Sequence, residues 1–143
     1  MKVSVTQEKL AKALNLIKDI ASSRNELPIL NNILLRTDGG RLLIAGTNLE
    51  IASTQYIGAK FEDHGSITIP ARLVSEFITN LPSGPVELET KNEHLHITSG
   101  KFSSVINGAV ADEYPELPTI DEKTAMQYEI DVEDLKKAIV QTK

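Results

Sequence analysis

The chain is 143 residues long, 41% apolar and 24% charged, which suits one ordinary domain, or one domain plus the start of another, and excludes a disordered or collagen-like polymer. It has no Cys and no Trp, which excludes a disulfide scaffold, a Cys-ligated metal centre and a thiol nucleophile, and leaves an aliphatic core. The formal charge of −5 is uneven, +2 over residues 1–72 and −7 over 73–143, so a polyanion is bound only if the basic groups gather on one face.

Met1-Lys2-Val3-Ser4-Val5 enters apolar/polar alternation at once, so a short strand is expected. There is no signal-peptide core and no apolar run near the ~18 residues of a membrane span, so a soluble, cytoplasmic protein is expected. Thr6 offers an N-cap, and Leu10, Ala13, Leu14, Ile17 and Ala21 then recur at helical spacing, which predicts an amphipathic helix over 7–21. Ser22 to Glu26 break the pattern. Leu27-Pro28 favours extended backbone, so Ile29 to Arg36 read as a strand. Thr37-Asp38-Gly39-Gly40 is a hairpin turn, and Arg41–Gly46 and Leu49–Ile57 read as two more strands.

After a polar connection at 61–65 the same order restarts. Ser66 to Ile69 alternate, and Pro70 suits the first turn of a helix. Leu73, Val74, Phe77, Ile78 and Leu81 form its apolar stripe, and Pro82-Ser83-Gly84 end it. Val86–Thr90, His94–Thr98 and Phe102–Asn107 read as three strands. β-α-β-β-β therefore occurs twice, over about 1–60 and 66–110. An offset of 64 lays Val3 on Ile67 and Leu14 on Ile78, and an offset of 53 lays Leu42 on Leu95, Ile44 on Ile97 and Leu49 on Phe102. An α+β fold of two such units is expected, filling a first domain over 1–120.

Residues 111–126 are acidic, contain Pro115 and Pro118, and read as a linker. A third start follows over 127–143. At an offset of 125, Glu8, Leu10, Lys12, Ala13 and Lys18 are identical to Glu133, Leu135, Lys137, Ala138 and Lys143, and Asp131 takes the capping place of Thr6. A strand and a partial helix cannot bury an apolar face alone, so the chain reads as a fragment of a longer repeat protein.

Five motifs carry a resemblance: Leu27-Pro28-Ile29-Leu30-Asn31-Asn32, Gly46-Thr47-Asn48-Leu49-Glu50, Ile69-Pro70-Ala71-Arg72, Leu81-Pro82-Ser83-Gly84 and Tyr114-Pro115-Glu116-Leu117-Pro118. Together they resemble the N-terminal domain of the bacterial DNA sliding clamp family, the beta subunit of DNA polymerase III. The resemblance implies a DNA-clamp fold: two β-α-β-β-β units about a pseudo-twofold axis, with helices on one face of antiparallel sheets. It implies a non-catalytic processivity factor without a cofactor. Two such chains would close head to tail around double-stranded DNA, and polymerase and clamp loader would bind through domains outside this chain. The reading it competes with is a repeat-built protein-interaction scaffold with no nucleic-acid role.

The resemblance makes Arg24 a phosphate contact, against an ordinary solvated Arg. Arg72 lies nearly opposite the apolar stripe of its helix, and the family also has a DNA-contacting Arg there; the bland reading is an i,i+4 pair with Glu76. Lys12 is off the core stripe and is a weaker candidate, because Glu8 and Asp19 share its face. The strand carrying Phe102, Ser104 and Ile106 ends the second unit, so its outer side is an open edge. The resemblance places that strand at the ring's subunit interface, although the family can hold a bulkier apolar residue than Ser104. Ile106 is the residue expected to bury against the partner, and facing its own core is the competing reading. His94 and His96 share a strand face but lack a third ligand nearby. Glu87 and Glu89 also share a face, and solvent-facing charges explain them more simply than catalysis.

Overall fold

The computed structural model describes residues 1–21, 27–117 and 129–141. The first unit holds β1 (Lys2–Thr6), α1 (Gln7–Ala21), β2 (Asn32–Asp38), β3 (Arg41–Thr47) and β4 (Ala52–Gly58). A short β5 (Lys60–Asp63) follows. The second unit holds β6 (Ser66–Pro70), α2 (Ala71–Thr79), β7 (Pro85–Lys91), β8 (His94–Ser99) and β9 (Phe102–Asn107), and α3 (Val132–Gln141) comes last.

The two units exchange their first strands. One sheet runs β5-β1-β7-β8-β9 and the other β4-β3-β2-β6, so β1 leaves its own hairpins to pair with β7 while β6 returns to pair with β2. Every pairing is antiparallel. The registers obey the twofold: Val3 faces Leu88 as Ile67 faces Leu35, and Val5 faces Val86 as Ile69 faces Ile33. Leu35 faces Ile44 as Leu88 faces Ile97, which repeats the offset of 53.

The last strands depart from that offset. Ile57 faces Leu42 and Ile106 faces Leu95, so Ile57 and Ile106 are the equivalent pair, and Leu49 does not match Phe102. The first unit spends extra residues on the loop Asn48–Ile51. There the Asn48 Oδ1 accepts from the Glu50 and Ile51 N–H groups at 2.9 and 2.7 Å, and Leu49 takes φ +77°. An Asn side chain that mimics a turn in this way stops the strand from starting before Ala52.

Leu10, Leu14 and Ile17 of α1 pack with Val74 and Ile78 of α2 and with the inner faces of both sheets in one aliphatic core. Gly46 fits under α1 because it has no side chain: a Cβ there would lie 2.6 Å from Ile17 Cγ2. Three other expectations shift within the two units. Pro28–Asn31 is a 3-10 turn, so the second strand starts at Asn32. The polar connection holds β5, which pairs with β1 and lets the Lys2 ammonium bridge Glu62 at 3.1 Å and Glu87 at 3.4 Å. Leu73 is 53% exposed although its type suited the stripe, because Ala71, Val74, Ser75 and Ile78 form the buried seam.

Residues 111–117 form no free linker. Ala111 and Tyr114 pack on Leu34, Leu43 and Ala45, on the face of the four-stranded sheet turned away from the main core, with Ile29 and Leu117 alongside. β2 and β3 are apolar on both faces, and this segment covers the second one. In α3 the N–H of Glu133 donates to Asp131 Oδ1 at 2.8 Å, so Asp131 does cap the helix. Residues 131–140 are exposed, Leu135 and Ile139 included. Glu129 and Ile130 lie in no strand, and Tyr128 lies outside the described residues. Among the described residues no helix is long and apolar enough to cross a membrane.

Candidate nucleic-acid interface and open sheet edge

α1 and α2 lie side by side and antiparallel. Gln7 Nε2 donates to the Ile78 carbonyl at 2.8 Å, and Asn15 Nδ2 donates to Thr79 Oγ1 at 3.3 Å. At the far end Lys18 and Asp19 meet Arg72, Ser75 and Glu76 around one notch of about 250 Å3. Lys18 and Arg72, distant in sequence, thus stand at one spot. Lys12 is exposed on α1, about 9 Å along the helix axis from Lys18 at the usual rise per residue.

Among the described residues none of these three cations is paired with a carboxylate. Among the described residues the ion pairs lie elsewhere, at the Met1 amino group, Lys2 and Lys91, and Arg72 makes no pair with Glu76. Pro70, the residue before α2, supplies no side-chain cap to the first-turn amides. The positive end of the helix dipole therefore adds to the charge of Arg72. Arg24 lies outside the described residues. Sequence reasoning missed Lys18. Lys18 is on the flank of α1 rather than opposite the core, so a helical wheel alone gives it no distinction.

β9 is an edge strand of the five-stranded sheet. Its residues alternate between faces, and this corrects one expectation. Ile106 is 3% exposed, sits opposite Leu95 and belongs to the domain's own core, so its side chain is not offered to a partner. An edge presents backbone N–H and C=O groups, whereas side chains point to the two faces; an open edge therefore does not make Ile106 an outward residue. Ser104 is half-buried on the same face, opposite Ile97. Phe102 at the strand's start is 56% exposed, and Val105 is exposed on the opposite face, next to His96.

Glu87 is held by Lys2 at 3.4 Å and Glu89 lies 3.8 Å from Lys91, which leaves these carboxylates in ordinary ion pairs. No group of three His, Cys, Asp or Glu side chains capable of holding a metal occurs among the described residues.

Two strand-exchanged β-α-β-β-β units with a cation-bearing helix pair define a domain of the DNA-clamp class. The family described as "DNA polymerase III beta subunit, N-terminal domain" matches residues 1–118. The chain is similar to the "Beta sliding clamp" of Bacillus subtilis (strain 168), 35% identical over 151 residues that cover 99% of this chain and 39% of that protein. The crystal structure of the sliding clamp from Bacillus subtilis superposes with a TM-score of 0.81 at 32% identity, over 85% of this chain and 34% of that one. The Helicobacter pylori beta clamp bound to a DNA ligase peptide superposes with a TM-score of 0.79 at 29% identity, over 85% and 34%. The chain belongs to the DNA polymerase III beta subunit family, in the part that forms its N-terminal domain. It spans about two fifths of the length of the curated relative quoted.

Proposed function

We propose that this chain is the N-terminal portion of a ring-forming sliding clamp, a processivity factor that encircles duplex DNA and tethers the replicative polymerase. The role is non-catalytic. Residues 1–120 act as the first clamp domain, and 127–143 begin a second. A second protomer, arranged head to tail, closes the ring. Polymerase and clamp loader engage parts of the protein outside this chain.

The observation that carries this reading is the antiparallel α1–α2 pair, which presents Lys12, Lys18 and Arg72 without an ion pair among the described residues. Sparse cations suit contact with phosphates, which carry no base information. Arg24 joins this set by its place in the family motif. Retention on DNA then comes from ring closure more than from contacts, which reconciles DNA as a partner with a net charge of −5. The open edge of β9, with Phe102 and Ser104 beside it, is the surface that meets the other protomer through backbone pairing.

The test is retention on nicked circular DNA. Full-length protein, once loaded, should stay with the circle through gel filtration at moderate salt and be lost when the circle is linearised. The 143-residue chain alone should not be retained at all. Retention of the short chain, or survival of the full-length complex after linearisation, would overturn the topological reading.

A further inference from the structure

We propose that the groove on the outer face of the four-stranded sheet, between β4 and the segment 111–117, is a docking site for an extended, proline-bearing peptide of another protein that carries a Lys or Arg. The inference goes beyond the DNA reading above and does not depend on it.

The groove has a volume of about 930 Å3. It lies on the face of the sheet turned away from α1, α2 and the main core. Where the helices face duplex DNA, this face points away from it, and the groove stays accessible with DNA bound. Two neighbouring rows of side chains cross the sheet here. Leu34, Ala45 and Thr54 form one, and Arg36, Leu43 and Tyr56 form the next. Leu34 and Leu43 give the groove an apolar floor, and Pro115 and Leu117 line it from the segment after the last strand. Tyr56 lines it from β4, an edge strand, and is 44% exposed. The Arg41 guanidinium lies 4.2 Å from the centre of the Tyr56 ring, a cation–π contact that steadies the ring. An aromatic ring and a proline beside an apolar floor suit a proline-bearing extended peptide. Such a chain is stiff before it binds and loses little entropy on docking.

Charge selects among such peptides. Asp38, Asp112 and Glu116 line the groove and are exposed, and none is in an ion pair among the described residues. Arg41 stands opposite Asp38 in the strand register, yet its guanidinium goes to Tyr56 instead. Arg36 is the one cation among the described residues that lines the groove. Three carboxylates against one guanidinium favour a peptide with a cation over a peptide with a carboxylate.

The experiment titrates the 143-residue chain with two terminally blocked heptapeptides and follows amide NMR shifts. One is Pro-Pro-Leu-Pro-Arg-Leu-Pro, and the other has Glu in place of Arg. The Arg peptide should give saturable shifts at Leu43, Thr54, Tyr56 and Glu116. The Glu peptide should bind at least about tenfold more weakly. Tyr56→Ala should weaken the Arg peptide at least about fivefold, as truncation of an anchor does, and Tyr56→Phe should leave it unchanged. Asp112→Asn and Glu116→Gln change exposed side chains and should each weaken it about threefold, with a flatter salt dependence. Arg36→Gln should tighten it. Equal binding of the two peptides, binding of neither, or shifts spread over acidic residues away from the groove, such as Glu62 and Asp63, would overturn the site. Shifts at the groove on adding duplex DNA would overturn it too. So would groove shifts that grow with protein concentration in the absence of peptide, which would mark a contact between copies. None of these results bears on retention on circular DNA, so the two readings fail separately.

Discussion

The phenol oxygen of Tyr114 accepts a hydrogen bond from the backbone N–H of Thr47 at 3.1 Å, across 67 residues of sequence. Both residues are buried, and the contact fastens the stretch after the last strand to the end of β3. Tyr114→Phe keeps the ring and removes the acceptor, which leaves a buried N–H unpaired. The expected cost is about 1–3 kcal/mol. Urea denaturation followed by circular dichroism measures it, and an unchanged midpoint would mean that the contact contributes nothing.

The same residue sets an alkaline limit. Burial pushes the Tyr114 phenol above its ordinary 10.0, and the hydrogen bond from Thr47 only partly offsets this. A native pKa above the unfolded one means that the folded chain holds the proton more tightly. The contribution is complete below pH 10.0 and is lost as pH rises through the native value. Lys2, raised first by its hydrogen bond to Glu62 and then by Glu87, acts in the same direction. Stability should therefore fall above about pH 10, and Tyr114→Phe should fall less steeply there than the wild type. Parallel curves for the two proteins would contradict this assignment.

The alternation of β9 separates two substitutions that sit side by side. Ile106→Lys buries an unpaired cation against Leu95 and should lower the melting temperature of this chain sharply, by at least about 3 kcal/mol of stability. Val105→Lys, on the exposed face, should stay within about 0.5 kcal/mol. Scanning calorimetry of the two variants settles the order. Equal melting would mean that Ile106 is not a core residue.

Arg72→Ala and Lys12→Ala should weaken duplex binding by the full-length protein equally across DNA sequences. Each lost phosphate contact should reduce the slope of log affinity against log salt by roughly one. Arg24→Ala should do the same if its family position holds. Fluorescence anisotropy over a salt series on two unrelated duplexes reads both effects. A slope that does not change on losing Arg72 would remove it from the DNA-facing set.

Local periodicity was enough for the sequence to specify α1 over Gln7–Ala21, the turn at Gly39-Gly40, the cap at Asp131 and the doubled β-α-β-β-β order. Each depends on neighbours within a few residues, where spacing and backbone preference act directly. Five motifs likewise carried the family. Only the tertiary structure decided that β1 and β6 change places, that β5 pairs with β1, and that Ala111–Leu117 cover the second face of the four-stranded sheet. It also decided that Ile106 points inward and that Lys18 meets Arg72. These depend on which strand lies beside which, over separations of tens of residues. Alternation states that a strand has a buried face, but the same pattern serves with any partner of matching register, so the choice falls to the packing of one shared core.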